Sequence, residues 1–207
     1  MRINRVIKTF IVSDFFVQSG FSVFAPIFAI FVTKQIANGS LEVVGFAAAI
    51  SQIVKVTFQI PVARILDKNH GEYDDFYSLI TGSLLMAIVP FLYLLASEST
   101  HLYIIQGVYG LALAFLVPPW YAIFSRHLDK NQENIEWSFE SVTIGIASAT
   151  AAALGGIAAT RFGFQFVFII GGLLAIVGSL LQIGLYHHLR GAVPRGQVHP
   201  QPSHTQH

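Results

Sequence analysis

The chain has 207 residues, of which 54% are hydrophobic and only 11% charged, and its mean hydropathy is +0.61. Soluble domains carry about a quarter charged residues, so this composition predicts an all-α protein embedded in a lipid bilayer. The formal net charge of +1 argues against a nucleic-acid partner. Because there is no cysteine, disulfides and thiol chemistry are excluded.

Six apolar segments follow one another along the chain, each near the roughly 20 residues that a helix needs to cross a bilayer. We expect transmembrane helices at about 9–33, 42–64, 75–97, 102–125, 138–160 and 164–186. The polar loops between them are short, so consecutive helices should run antiparallel. Together they predict one membrane domain over residues 1–189.

Lysine and arginine are concentrated on one side of this arrangement, which sets its orientation. With a cytoplasmic N-terminus, the inner side holds Arg2, Arg5, Lys8, Arg64, Lys68, Arg126, Lys130, Arg190 and Arg195, and the outer side holds Lys34 and Arg161. We therefore expect both termini in the cytoplasm, with the chain in a bacterial cytoplasmic membrane. The polar tail at 190–207 is expected to be disordered. Its histidines lack a fixed ligand spacing, so we expect no metal or cofactor.

Two polar stripes interrupt the apolar segments. They consist of Asp14, Gln18 and Ser22 in the first segment and Gln52, Lys55 and Gln59 in the second. Spacings of three and four place each stripe on one helix face, and polar groups inside a membrane are functional hypotheses by default. Asp14 and Lys55 lie at similar depth from the same side, so an ion pair between them is the simplest way to carry both charges.

Structural alternatives exist for each stripe. Asp14 lies near a helix N-terminus, where negative charge is favoured, and Lys55 could extend its aliphatic stem toward the cytoplasmic interface. Gln52 and Gln59 could be interhelical hydrogen-bond partners with no role in transport.

The fourth and fifth segments carry further polar groups. Gln106 and Tyr109 lie toward the outer end of the fourth, and Glu136 and Glu140 lie at the cytoplasmic start of the fifth. We include both polar stripes, together with Gln106, Tyr109 and Glu140, in a substrate or proton pathway. The two glutamates could instead be an interfacial pair favoured by the helix dipole.

Two other patterns in these segments concern helix packing and position in the membrane. In the fifth, small residues share one face and permit close helix approach; they are Gly145, Ser148, Ala152, Gly155 and Ala159. In the fourth, Trp120 and Tyr121 fit an interfacial aromatic belt.

Four short patterns, in order along the six segments, resemble one half of a major facilitator superfamily transporter over about residues 9–187. In the loop after the second segment, Asp67 and Lys68 match a Gly-x-x-x-Asp-Arg/Lys-x-Gly pattern and Ala63 takes the place of its first glycine. The stretch "YIIQG" keeps Gln106 and Gly107 of Arg-x-x-Gln-Gly. "AAALGG" keeps Gly155 and Gly156 of a Gly-Pro-x-x-Gly-Gly pattern, and "GFQFVF" keeps Gly163, Phe164 and Phe168 of Gly-Trp-Arg-x-x-Phe.

The departures from the family pattern narrow what the resemblance implies. Tyr103 stands where drug/proton antiporters of this superfamily carry an arginine, and the Gly-Pro pair is missing. The sequence therefore gives less support to multidrug antiport as the function. The resemblance implies a cytoplasmic gate formed by Arg64, Asp67 and Lys68, although "EYDD" replaces the family's basic residues there.

The resemblance also implies the architecture of the whole transporter. "ITGSLLMAI" in the third segment is similar to "IIGGLLAIV" in the sixth, which fits two three-helix inverted repeats. A transporter of this family has two six-helix halves with the substrate site between them, so we expect a homodimer that moves an unidentified small solute by alternating access. The first, second, fourth and fifth helices would line the cavity, and the third and sixth would face lipid.

A second interpretation is a non-transporting membrane subunit, or a half-transporter that pairs with a different chain. An intramembrane enzyme is not expected, because we find no nucleophile motif, metal-binding helix motif or phosphate loop.

Overall fold

The computed structural model describes residues 4–68 and 71–189, so the predicted tail at 190–207 lies outside the described residues. The helices are α1 (Arg5–Ser22), α2 (Phe28–Gln35), α3 (Leu41–Leu66), α4 (Glu72–Tyr93), α5 (Ser99–Arg126) and α6 (Glu133–Ile183). A short 3-10 turn, Gly184–His188, follows α6. The predicted all-α membrane fold is confirmed, with five helical stretches long and apolar enough to cross a bilayer among the described residues.

The last of these stretches contains two of the predicted helices. Glu133–His188 has 56 residues, which at about 1.5 Å per residue is more than twice the thickness of a hydrocarbon core. Gly163 divides it, with φ 84° and ψ 172°, a conformation that glycine adopts without steric penalty. The expected loop at "RFG" is therefore a one-residue break, and six spans result.

The first predicted helix is also interrupted. Between α1 and α2 the chain forms a 3-10 turn at Ala25–Ile27, with Pro26 near its start. Proline has no backbone N–H and cannot continue the α-helical hydrogen-bond ladder. α1 and α2 together form one span, Arg5–Gln35.

Close backbone contacts at glycine determine how the helices cross. α1 packs along α6, α4 packs along both α5 and α6, and α3 packs along α5. A Cβ built on Gly20 of α1 would lie 2.5 Å from the carbonyl oxygen of Gly171 in α6, and the reverse holds for Gly171. These glycines allow the two backbones to touch.

The α3 helix is the least covered span. In its most apolar window, 11% of the residues are buried, compared with 39–50% in the other four stretches. The α4 helix, which is expected to face lipid on its exposed side, has the most buried window of the five at 50%. It is enclosed because it packs along both α5 and α6, whereas α3 packs mainly along α5.

Candidate functional site

Asp14 is the centre of a buried polar cluster that joins three helices. Its carboxylate accepts a hydrogen bond from Trp120 Nε1 of α5 at 2.7 Å and another from Gln182 Nε2 of α6 at 3.2 Å. The Ser13 hydroxyl donates a longer one at 3.4 Å. Asp14 is only 9% exposed, so the alternative of a solvated residue at a helix start does not hold.

Glu140 of α6 faces the carboxyl group of Asp14. It is 2% exposed, and neither of its carboxyl oxygens has a hydrogen-bond donor among the described residues. Glu136, one turn earlier, is fully buried and accepts a bond from the backbone N–H of Asp129 at 2.9 Å. Both glutamates are therefore enclosed in the bundle, and Glu136 lies in the first turn of α6, where the helix dipole favours its charge.

Two cavities of about 340 Å³ each lie along α1. The first adjoins Asp14, Trp120 and Gln182, and the second adjoins Ser22 and Gln106. Three side chains line both cavities and form the partition between them. We call Gln18, Met86 and Tyr109 the partition residues.

The predicted polar residues along these cavities are held by specific contacts. Gln18 Nε2 donates to the hydroxyls of Ser22 at 3.1 Å and of Ser148 at 3.0 Å, which links α1 to α6. Gln106 Nε2 donates to the Tyr93 hydroxyl at 3.0 Å. The structure thus brings the Asp14, Gln18 and Ser22 stripe together with Gln106, Tyr109 and Glu140.

The second stripe lies elsewhere. Gln52 is exposed and Lys55 and Gln59 are half-buried on α3, and none of them lines either cavity. No carboxylate oxygen of the described residues lies within 4.0 Å of the Lys55 ammonium. The expected Asp14–Lys55 ion pair is therefore wrong, because Asp14 is turned toward α5 and α6.

The predicted gate residues lie at the exposed end of α3. Arg64, Asp67 and Lys68 are all exposed. One ion pair at this side of the bundle joins Arg126 at the end of α5 to Asp75 at the start of α4.

Sequence reasoning missed Gln182 and the polar contact of Trp120. The expectation for Trp120 was an interfacial belt alone, and the structure shows that its indole N–H donates to Asp14. Gln182 was not singled out, although it is a polar residue in an apolar helix and only 1% exposed. An isolated amide in a membrane segment was the available signal.

Comparison with known proteins identifies the family. The sequence pattern of the Major Facilitator Superfamily matches residues 10–204. The chain belongs to the major facilitator superfamily. Membership of this superfamily makes it an integral membrane protein, and the two relatives below are both transporters.

One superfamily relative is the proton-coupled antiporter flippase LtaA of Staphylococcus saprophyticus, 22% identical over 138 residues. That match covers 64% of this chain and 33% of the relative. Among solved structures, the POT family transporter PepTSo aligns with a TM-score of 0.77 at 16% identity, covering 96% of this chain and 40% of that one. The fold is therefore that of the superfamily, and this chain spans about a third to two fifths of the length of these relatives.

Proposed function

We propose that the protein is a secondary-active transporter of a small solute that works by alternating access. Its substrate and proton pathway is formed by Asp14, Gln18, Ser22, Gln106, Tyr109 and Glu140 beside the two cavities. We place it in a bacterial cytoplasmic membrane with both termini in the cytoplasm. Superfamily membership and the buried polar cluster support this assignment.

The Asp14–Glu140 pair is the observation that carries the proposal. Both carboxyl groups are buried and face each other, and no described lysine or arginine forms an ion pair with either. Two negative charges at such a site repel strongly in a low dielectric, and a shared proton removes the repulsion. The pair thus provides a place to bind a proton beside a cavity and to release it when its surroundings change.

The second half of the transporter is proposed to be another copy of this chain. The α3 helix and the 133–162 part of α6 present many exposed side chains, among them Ile53, Val56, Val142 and Ile146. Association of two copies about a two-fold axis would cover these faces and enclose a central cavity. Recovery of a different chain alone, in cross-linking from native membranes, would favour the half-transporter that pairs with another protein.

The test is solute-evoked proton movement in proteoliposomes that contain a pH-sensitive dye. We expect Asp14→Asn and Glu140→Gln each to lower the initial rate at least tenfold, because each removes one member of the proton site. Glu133→Gln is the matched control, since Glu133 is exposed at the start of the same helix, and it should transport like the wild type. Undiminished rates in both pair variants would remove the pair from the mechanism.

A further inference from the structure

Lys55 carries a charge near the middle of a membrane-spanning helix. At about 1.5 Å per residue it lies roughly 21 Å from the start of α3 and roughly 17 Å from its end. The side chain reaches only about 6 Å, from bonds of about 1.5 Å. If α3 is centred on a hydrocarbon core of about 30 Å, the extended side chain still ends roughly 6 Å inside that core, so extension of the stem does not bring the charge to the interface.

No acidic residue of this chain is placed to neutralise that ammonium. The chain has 11 aspartates and glutamates, and all but Asp14 and Glu140 lie in loops or in the first or last turn of a helix. Asp14 and Glu140 are enclosed, and Asp14 is bound to Trp120 and Gln182. A second copy therefore brings a second Lys55 and no accessible acid at the same depth.

The surroundings of Lys55 on α3 are polar and small, unlike a lipid-facing surface. Residues at spacings of three and four along this face are Gly45, Ala48, Gln52, Lys55, Gln59 and Ala63. A Cβ built on Gly45 meets no atom within 4 Å, so the face is open. Leu41, at the start of the helix, and Phe58, three residues after Lys55, are large exposed side chains at the margins of this face, whereas Phe46 and Ile53 lie away from it. Small and polar side chains suit the wall of a water-filled cavity.

We propose that Lys55 binds the charged group of an anionic substrate, a small organic carboxylate or phosphate, with the amides of Gln52 and Gln59 as additional hydrogen-bond donors. The inference rests on the proposed transport function, since the stripe faces the central cavity only when two six-helix units associate. An anion neutralises an ammonium that has no partner among the described residues, and charge-assisted hydrogen bonds make that contact strong. Two-fold symmetry places two such lysines around one cavity.

The experiment measures both binding and transport of defined probes by the full chain in lipid. Thermal unfolding is followed with glycerol 3-phosphate, lactate and citrate as anions, glycerol as the neutral probe and choline as the cation. We expect at least one anion to raise the unfolding temperature, and neither glycerol nor choline to do so. Lys55→Gln should weaken that anion's affinity at least tenfold, whereas Lys55→Arg should stay within about threefold of the wild type.

Lys34→Gln serves as the matched control, because Lys34 is an exposed lysine at the outer end of α2 and should leave binding unchanged. Full anion binding by Lys55→Gln, stabilisation by glycerol or choline instead, or no stabilisation by any of the three anions would overturn the proposal. Counterflow of the same probes distinguishes the proposed transport function from the proposed anion site at Lys55. Lys55-dependent binding without counterflow rejects transport and keeps the anion site, whereas counterflow of glycerol or choline that Lys55→Gln does not alter rejects the anion site and keeps transport.

Discussion

The indole of Trp120 combines packing with a specific polar contact. Its ring stacks on Phe124 with a centroid separation of 4.9 Å, and its N–H donates to Asp14. Buried tryptophan usually finds a partner for its N–H, and here that partner is the carboxylate at the centre of the site. The neighbouring Tyr121 is 55% exposed, and its place in an interfacial aromatic belt stays a prediction.

Trp120→Phe should lower the free energy of unfolding by about 1–3 kcal/mol, because Asp14 loses a buried donor while an aromatic ring is retained. Denaturant unfolding in lipid nanodiscs measures the change. Trp137→Phe is the control, since Trp137 packs on Phe124 and Trp120 and its substitution removes no donor to Asp14. Equal losses in the two variants would mean that the hydrogen bond to Asp14 adds little.

Part of the site was predictable from single residues. The i, i+4 spacing of Asp14, Gln18 and Ser22 correctly placed them on one face of α1, because helical geometry relates residues of the same helix. That spacing does not say which helix the face meets. The Asp14–Lys55 pair failed for this reason, and the contact with Gln182 was out of reach because 168 residues separate it from Asp14.

Among the helical elements, α6 shows how neighbouring glycines can differ in role. A Cβ built on Gly155 would fall on the backbone oxygen of Val23 in the bend after α1, whereas one on Gly156 meets no atom within 4 Å. The first glycine is required for the helix crossing. The second has open space beside it.

Gly155→Ala should destabilise the protein by about 1–3 kcal/mol through steric overlap with the backbone of Val23. Gly156→Ala, one residue further along the same helix, should be neutral or stabilise by up to about 1 kcal/mol, because alanine favours helix over glycine. Unfolding of both variants in nanodiscs gives the comparison. A Gly155→Ala variant as stable as Gly156→Ala would show that α1 and α6 can separate at no penalty.

The ion pair between α4 and α5 joins a buried carboxylate to a partly exposed guanidinium. The side chain of Asp75 is 5% exposed and that of Arg126 is 44% exposed. We expect Arg126→Gln to lower stability by about 1–2 kcal/mol, because it leaves the aspartate without its counter-charge.

A double-mutant cycle with Asp75→Asn tests this ion pair. The two losses should be clearly non-additive, with the double variant more stable than the sum of single effects predicts. Additive losses would indicate that the two residues act separately.

At the level of helices, hydropathy placed the spans well, because every backbone group in a bilayer must be satisfied within its own helix. The interruption after Ser22 and the single-residue break at Gly163 were harder to predict from the sequence. Proline and glycine occur in both places, but these residues also occur inside continuous helices here. Pro61 in α3 and Pro90 in α4 are examples.

For the whole molecule, the membrane-spanning helices differ in how much of their surface is buried by the rest of the chain. This difference is the main evidence for how the protein assembles with a second copy. The α3 helix and residues 133–162 of α6 belong to the exposed side that we propose meets a second copy. Because the chain has no cysteine, one introduced cysteine gives an unambiguous reporter of that contact.

Ile146→Cys should form a disulfide-linked dimer on mild oxidation in native membranes, because position 146 lies on the proposed interface. Leu180→Cys should remain monomeric on denaturing gels, since it lies in the 164–183 part of α6, which is expected to face lipid. The two positions are matched in exposure, at 55% and 54%. Cross-linking at 180 and not at 146 would place the second copy on the other side of the bundle.

The three partition residues come from three different helices, and they are not equally restrained. Tyr109 stacks on Phe21, and Gln18 is bound to two serine hydroxyls. Met86 is an unbranched thioether with three rotatable bonds and no hydrogen bond to break. Rotation of this one side chain would join the two cavities along α1 without displacing a helix or breaking a hydrogen bond. Met86 is 8% exposed and packs with Val17 and Ala112, so this rotation should be slower than the picosecond-to-nanosecond flips of exposed side chains.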